Sequence, residues 1–413
     1  MLLGRHGAII TKNGNEKKYI DKGNSMKEDM VDNNCTEEPF QVKRRWSGKR
    51  KMCFALVFIL LISAGCYGGF RWWLRDKVSS VTTVSNEDIL KLAKDYIEEE
   101  ETDGTDSSED VIALANATID EHTNNGFNGV LQDENVVNIM VVGSDTRKEN
   151  SIGLTDVMIL VSINKVSKEV HLTSFMRDTY VSIPGYGNDR LNTAFYHGSD
   201  VFFETMKTNF NIEIDKFVYI NFFSFIDVID ALGGVEIDVT EKERVAMNTL
   251  FAEINKYLGD PKDSGVLEKS GQQVLTGKQA LAWARVRKIA GSDFRRTERQ
   301  RIVLEKVLEK VQELSVLELN DFADVVLPKV MTNMTYGEIE DMLLDAFTYL
   351  SYDIEQLRVP EDGTFSDVKI KGKEVLSIDF DKNIRMLGSE IYGKVYDTED
   401  DTNNETKTVQ GKE

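Results

Sequence analysis

The chain has 413 residues, 41% of them hydrophobic and 29% charged, a globular composition that excludes a disordered or low-complexity polymer. Its formal net charge is −20 although residues 1–51 are on balance basic, so the rest is more acidic than the whole. Such a body excludes duplex nucleic acid as the main partner, because that binding requires a wide basic face.

Residues 1–51 are polar, lack hydrophobic periodicity, and are expected to form a disordered basic leader ending in K-R-R-W-S-G-K-R-K. Met52 to Phe70 is an uncharged, mostly apolar run followed by Arg71, Trp72 and Trp73. It is long enough for a bilayer, which takes about 17–25 such residues. The preceding Lys/Arg cluster assigns the N-terminal side to the cytoplasm, and the tryptophans suit the far interface. The expectation is therefore a single transmembrane helix over 52–70, with the lipid bilayer as partner and the C-terminal body extracytoplasmic. Ala64-Gly65-Cys66 resembles a lipoprotein cleavage box, which Ser63 and Tyr67 fit poorly. Cys35, Cys53 and Cys66 are the chain's cysteines, so the body has neither a disulfide framework nor a cysteine metal site.

Residues 71–134 are acidic and polar, with one helical period over Asn86 to Glu100, and read as an extracytoplasmic stalk. From 135 the texture becomes alternating. Strands are predicted at Val136–Gly143, Asp156–Ile163, Glu169–Phe175, Lys216–Ile220, Val235–Val239 and Ile354–Val359. Helices are predicted at Asn192–Asn209, Phe222–Leu232, from Arg296 toward Leu314, over about 318–350, and at Lys382–Ile391. The fold class is α/β, a three-layer α/β/α sandwich around a mixed central sheet over 135–393, preceded by the single transmembrane helix. Residues 394–413 are expected to be a disordered acidic tail.

Chemistry concentrates at element ends. The loops G-S-D-T-R (143–147), T-D (155–156), M-R-D-T (176–179) and N-D-R-L-N (188–192) share an alphabet of Asp and Arg. Polar loops at strand ends are where α/β sheets bind ligands. The stretch Trp283 to Arg301 adds a dense cationic cluster around Asp293. The spacing of Arg285 and Arg287 puts both on one face of a strand, and that of Asp293, Arg296 and Gln300 puts all three on one face of a helix. By itself a run such as R-R-T-E-R-Q-R is a solvated helix face. Repeated at so many element ends, the same alphabet suits carboxylates on a hard cation and arginines on phosphate oxygens. It does not suit a Ser-His-Asp hydrolase. The Phe-rich segments 195–203 and 217–225 are core or an apolar slot.

G-S-D-T-R, T-D-V-M-I-L-V-S-I-N, S-F-M-R-D-T-Y-V-S-I-P-G-Y-G-N-D-R-L-N-T-A-F, N-F-F-S-F-I-D-V-I-D-A-L-G-G-V-E-I-D-V, L-T-G-K-Q-A-L-A-W-A-R-V-R and D-F-R-R-T-E-R-Q together resemble the LytR-CpsA-Psr family, from about Val137 to Gly393. The resemblance implies a membrane-anchored extracytoplasmic enzyme that moves a glycopolymer, such as wall teichoic acid or capsular polysaccharide, from a polyprenyl diphosphate carrier onto peptidoglycan. It implies Mg2+ (or Mn2+) on Asp145 and Asp156. It implies phosphate binding by Arg147, Arg177, Arg190, Arg285, Arg287, Asp293, Arg296 and Gln300, and a catalytic set of Asp145, Asp156, Arg177 and Asp178. The chain departs from the family's pattern at Arg295 and Ser199, where the family commonly has glycine. Neither departure removes a phosphate or metal ligand. The same residues also fit a non-catalytic module that binds polyprenyl-phosphate lipid or wall polymer, and a pyrophosphatase acting on the carrier.

Overall fold

The computed structural model describes residues 68–93, 106–125, 129–144, 146, 151–287 and 292–394. The basic leader, most of the apolar run, the tail beyond 394, Asp145 and Arg147 lie outside the described residues. Among the described residues no helix is long and apolar enough to cross a membrane.

Strands β1 (Thr82–Thr83), β2 (Val136–Ser144), β3 (Thr155–Asn164), β4 (Glu169–Phe175), β7 (Phe217–Asn221), β10 (Met331–Thr332) and β11 (Asp353–Val359) form one sheet in the order β1-β10-β7-β2-β3-β4-β11. It is mixed, since β2 lies parallel to β7 but antiparallel to β3, while β4 lies parallel to β11. Two-stranded ladders complete the strands: β5 (Tyr180–Ile183) with β6 (Gly187–Arg190), β8 (Val235–Val239) with β9 (Gly271–Leu275), and β12 (Phe365–Ile370) with β13 (Lys373–Ile378). The helices are α1 (described from 68 to 78), α2 (Asn86–Ala93), α3 (Glu109–Asn125), α4 (Ser199–Phe210), α5 (Phe222–Ala231), α6 (Glu241–Leu258), α7 (Gly277–Ala284), α8 (Ser292–Glu313), α9 (Val316–Val326), α10 (Tyr336–Tyr349) and α11 (Phe380–Tyr392).

The central strands β2 and β3 carry continuous apolar runs, Ile139–Val142 and Val157–Val161, because both faces of the sheet are covered. Met140, Val142, Met158, Leu160, Phe175 and Phe217 face a core shared with α2, α3, α4 and α11. Val141, Val157, Ile163, Val170 and Leu172 face the other way, toward Leu304 of α8. Phe195, Phe202 and Phe210 are fully buried in the first core, each side chain contributing about 1.5–3 kcal/mol by burial. The 195–203 segment is therefore packing and not an apolar slot. A second core joins β8, β9, α5, α6, α7 and α8 around Phe251, Leu281 and Trp283. Capping boxes begin α6, α7, α9 and α10, each with Thr or Ser answered three residues later by Glu or Gln.

The structure corrects three expectations. The described residues of 71–134 are not a free stalk: Leu74, Val78 and Val81 pack against Met334 and Ile339, β1 joins the sheet, and Ile89, Ala115 and Ile119 enter the main core. Short polar-flanked stripes carry too few apolar residues to signal this from composition. The single helix expected over 192–209 is instead two 3-10 turns and α4, divided at Gly198. Its φ of 108° is a conformation only glycine takes easily, and the Asn86 side chain fills the space a Cβ would need. Arg285 and Arg287 are not on a strand, because α7 runs to Ala284 and Arg285 caps its C-terminus.

Candidate active site

β2 and β7 run parallel and end together at one edge of the sheet, where the antiparallel β3 begins. That edge collects the polar loops. Gly143 is needed there because a Cβ would lie 2.8 Å from the Cβ of Val157 on the neighbouring strand. Ser144 pairs with Thr155, so the residues just before Asp145 and Asp156 in the chain face each other in the sheet.

Arg177 follows β4 and is the hub. Its Nη1 donates to Asp156 Oδ1 at 2.6 Å, and its Nε faces both Asp178 Oδ2 at 3.2 Å and Asp293 Oδ2 at 3.6 Å. The β5–β6 hairpin returns Arg190 opposite Tyr180, which brings its Nη1 to 3.4 Å from Asp178 Oδ1. Arg287 Nη2 reaches Asp156 Oδ2 at 3.4 Å. From the first turns of α8, Arg296 Nη2 donates to Asp293 Oδ2 at 3.3 Å. The helical spacing of Asp293 and Arg296 brings the two into contact, and Gln300, one turn after Arg296, lines the same cleft as Arg296. Arg285 stands farther back, its guanidinium 4.6 Å from the Phe222 ring centroid and its Nη2 3.3 Å from Glu253.

These contacts separate the acids. Burial would push the Asp156 carboxyl up, but Arg296, Arg177 and Arg287 outweigh it and hold the group well below the usual carboxylate range. Asp178 and Asp293 both face the Arg177 guanidinium. Burial, then the negative charge of Asp293, pushes Asp178 up to about 6, although Arg177 opposes the shift. Asp293 goes down, because Arg296 and Arg177 overcome its burial.

Arg296 is 1% exposed, and its Nε and Nη1 have no hydrogen-bond partner among the described residues. A buried guanidinium with two idle donors has given up its hydration without replacement, and phosphate oxygens are the group that fits its fork. Behind it lies a cleft of about 170 Å³ between the sheet and helices α5, α7 and α8. Asp156, Arg285, Arg287, Arg296 and Gln300 form one end. Val141, Val157, Ile159, Phe222, Phe225, Leu281, Val303, Leu304 and Val307 make the rest apolar. The close seating of α7 on α5 that shapes this wall depends on Gly277, whose Cβ would lie 2.3 Å from the Ile226 carbonyl oxygen. A site of this form accepts an amphiphile with an anionic head and an apolar tail.

The apolar wall escaped the sequence reading in part. Phe222 and Phe225 belong to the second Phe-rich segment, and the signal for Val303, Leu304 and Val307 is their spacing on α8. They continue the helix face of Arg296 and Gln300 at i+3, i+4 and i+7 from Gln300, so one stripe turns from cationic to apolar. Arg299 and Arg301 belong to the run R-R-T-E-R-Q-R, which by itself is a solvated helix face, yet both are buried. Arg299 Nε bonds Glu243 at 2.8 Å and its Nη1 the Val286 carbonyl at 3.1 Å, and Arg301 Nε bonds Gln356 at 3.1 Å. Arg295 is exposed beside Glu298, as expected.

The family model described as LytR_cpsA_psr matches residues 93–387. The polyisoprenyl-teichoic acid–peptidoglycan teichoic acid transferase TagU of Oceanobacillus iheyensis is 30% identical over 225 residues, 52% of this chain and 64% of that protein. The chain thus spans just under two thirds of that relative's length. TagU of Bacillus mycoides is 30% identical over 231 residues, 55% of this chain and 69% of that one. Among solved structures, TagT bound to LIIa-WTA superposes with a TM-score of 0.50 at 25% identity over 63% of this chain and 91% of that chain. A Streptococcus agalactiae protein shares the fold with a TM-score of 0.53 at 23% identity, over 62% and 87% of the two chains.

Proposed function

The chain belongs to the LytR-CpsA-Psr family, whose model matches more than half of it, and from that premise we propose that it is a membrane-anchored extracytoplasmic phosphotransferase. It moves a glycopolymer from a polyprenyl diphosphate carrier onto peptidoglycan, through a phosphodiester bond. The observation that carries this reading is Arg296, buried with two idle donors where an apolar cleft meets an arginine cluster. A polyprenyl diphosphate has that same division, a long apolar chain and a compact polyanion. The relatives named as teichoic acid transferases, and the TagT structure holding a wall teichoic acid ligand, support the same cargo class. The apolar run over 52–70 supplies the anchor.

The diphosphate lies across Arg177, Arg287 and Arg296, whose fixed guanidiniums stabilise charge developing on its oxygens. Arg285 and Gln300 line the same cleft. A sugar hydroxyl of the acceptor attacks the sugar-side phosphorus. Its oxygen forms the new P–O bond, the bond to the bridging oxygen breaks, and polyprenyl phosphate leaves with that oxygen. The hydroxyl proton passes to a carboxylate. Asp178 is better suited than Asp156, since a base titrating near 6 holds a proton firmly enough to accept one at neutral pH, while Asp156 is pinned ionised between two guanidiniums.

Magnesium fits on terms the structure restricts. Among the described residues no cluster of three or more Asp, Glu, His or Cys side chains forms a cation cage. Asp156 offers a hard, ionised oxygen donor, and Asp145 is the second carboxylate assigned by the family pattern. Magnesium is commonly held by one or two carboxylates with substrate phosphates completing its shell. The surrounding arginines outnumber the carboxylates, so Asp156 and Asp145 would hold a cation together with the oxygens of the diphosphate rather than alone. Bound there, it supplies Lewis-acid polarisation of the phosphoryl oxygens.

The test is transfer of a labelled glycan from polyprenyl diphosphate to peptidoglycan by the full chain in vesicles, with and without chelator. Products joined by phosphodiester, lost in Arg296→Ala, support the reading. Hydrolysis of the carrier without linkage, or binding without turnover, overturns it.

A further inference from the structure

Helix α9 buries no residue fully although it is rich in apolar side chains, and its first two, Val316 and Leu317, are 76% and 79% exposed. Its neighbour is α1, with exposed Phe70 and Trp72. Two contacts set their register. Trp73 Nε1 donates to Asn320 Oδ1 at 2.9 Å, and Lys77 pairs with Asp324, both at a sequence offset of 247. A constant positive offset means the helices run in the same direction, side by side. The first turn of α9 is then level with Gly69 and Phe70, the residues that end the apolar run beginning at Met52.

We infer that the first turn of α9, together with Phe70 and Trp72 of α1, is a membrane-seating surface whose occupant is the lipid bilayer. The inference rests on the proposed anchoring of the chain and on its use of a lipid carrier. The register is the independent observation, because it places otherwise unexplained exposed aliphatic side chains at the level where the chain leaves its apolar run. Trp72 at that level is the residue type that occupies bilayer interfaces, and exposed Arg75 lies within a turn of it for headgroup phosphates. Glu313 and Glu318 flank the aliphatic pair, so contact is limited to the headgroup and upper acyl region. Arg71, held at 2.9 Å from Glu340, ties α1 to α10 as well, which keeps the seating surface rigid with the body.

The consequence is an orientation for the cleft. α8 runs from the arginine cluster at Asp293 and Arg296 to Glu313 and then directly into α9. With the first turn of α9 at the bilayer, the C-terminal end of α8 faces the membrane, and Val307 is the nearest of its cleft residues. Arg296 lies at most about 25 Å farther out, from the helical rise over the intervening residues. An isoprenoid chain drawn from the bilayer therefore enters past Val307 and presents its diphosphate to Arg296 without crossing water.

The experiment compares the unmodified full chain with the double variant Val316→Glu, Leu317→Glu in phosphatidylglycerol and phosphatidylethanolamine vesicles. Two carriers are used, a long-chain one resident in the bilayer and a short-chain water-soluble one. The variant should raise KM for the long-chain carrier by at least about ten-fold, the loss expected when two aliphatic groups no longer seat in lipid. Its kcat, and both constants for the short-chain carrier, should be unchanged. Equal KM values for the long-chain carrier would overturn the inference, and so would an equal loss on both carriers, which marks a folding defect. Independently, a fluorophore on Leu317→Cys, with Cys35, Cys53 and Cys66 replaced by Ser, should be quenched by headgroup-proximal doxyl lipid. A fluorophore on Leu114→Cys of α3 should not. Quenching equal at the two positions would overturn the inference. If the unmodified chain transfers neither carrier, the functional reading fails, and the quenching pair alone then decides the seating surface.

Discussion

Replacing Arg296 by Met separates what this residue does for the reaction from what it does for the fold. The side chain is almost fully enclosed, yet two of its guanidinium nitrogens are idle, and burial pulls its affinity for a proton down despite nearby Asp156 and Asp293. Removing it leaves Asp293 with Arg177 at 3.6 Å and Asp156 with Arg177 at 2.6 Å and Arg287 at 3.4 Å. Neither acid becomes an isolated buried charge. The stability loss should stay well short of the about 3–5 kcal/mol seen when a buried charge loses its partner, because Met fills a similar length with apolar atoms. The chemical step loses a preorganised donor to the developing phosphoryl charge, a loss of about 10²–10³ in rate. Urea unfolding and single-turnover transfer measure the two quantities on one preparation. Transfer within ten-fold of the unmodified chain, or unfolding that accounts for the lost rate, would refute the assignment of Arg296 to the anion.

Asp178 gives a pH signature: kcat/KM should fall as pH drops through about 6, where its carboxyl takes up a proton, and Asp178→Asn should remove that limb. Because its folded pKa lies above the unfolded value of 3.8, its contribution to stability is present below 3.8 and lost as pH rises through about 6. Asp178→Asn should therefore raise the melting temperature at pH 8 and change it little at pH 3.5. Glu243→Ala leaves Arg299 buried without its carboxylate and also removes the capping partner of Thr240, so denaturant titration should show a loss of about 3–5 kcal/mol. Val307→Trp narrows the apolar end of the cleft and should weaken binding of a long polyprenyl phosphate at least about ten-fold, while inorganic diphosphate binds as before. Chelation of divalent metal should stop transfer, and added magnesium should restore it.

The central strands β2 and β3 were legible because their apolar runs serve both faces of the sheet, while β4 shows through the alternation of Val170 and Leu172 with polar neighbours. The acid and arginine cluster was legible for a different reason. Asp156, Arg177, Asp178, Arg190, Asp293 and Arg296 use one chemical alphabet at element ends, and the structure brings all of them within a connected set of ion pairs. Less was readable where a spacing has two meanings. The interval between Arg285 and Arg287 fits a strand as well as the exit from a helix, and the structure chose the latter. Arg299 and Arg301 looked solvated because charge predicts exposure unless a partner is known. Their partners, Glu243 and Gln356, are distant in sequence and met only through the fold. The segment after the apolar run looked like a spacer because its contribution to the core comes from single residues such as Ile89 and Ile119, and its strand β1 has two residues.

The central claim is that the Arg177, Arg287 and Arg296 end of the cleft holds a diphosphate while its sugar-side phosphorus is transferred to a wall hydroxyl. The most direct measurement follows a doubly labelled carrier, with one label on the glycan and one on the polyprenyl chain, incubated with the full chain and peptidoglycan. Glycan label should be joined to peptidoglycan by a phosphodiester, with polyprenyl monophosphate released in equal amount, and Arg296→Ala should give neither product. Release of polyprenyl monophosphate with all glycan label remaining soluble would contradict it.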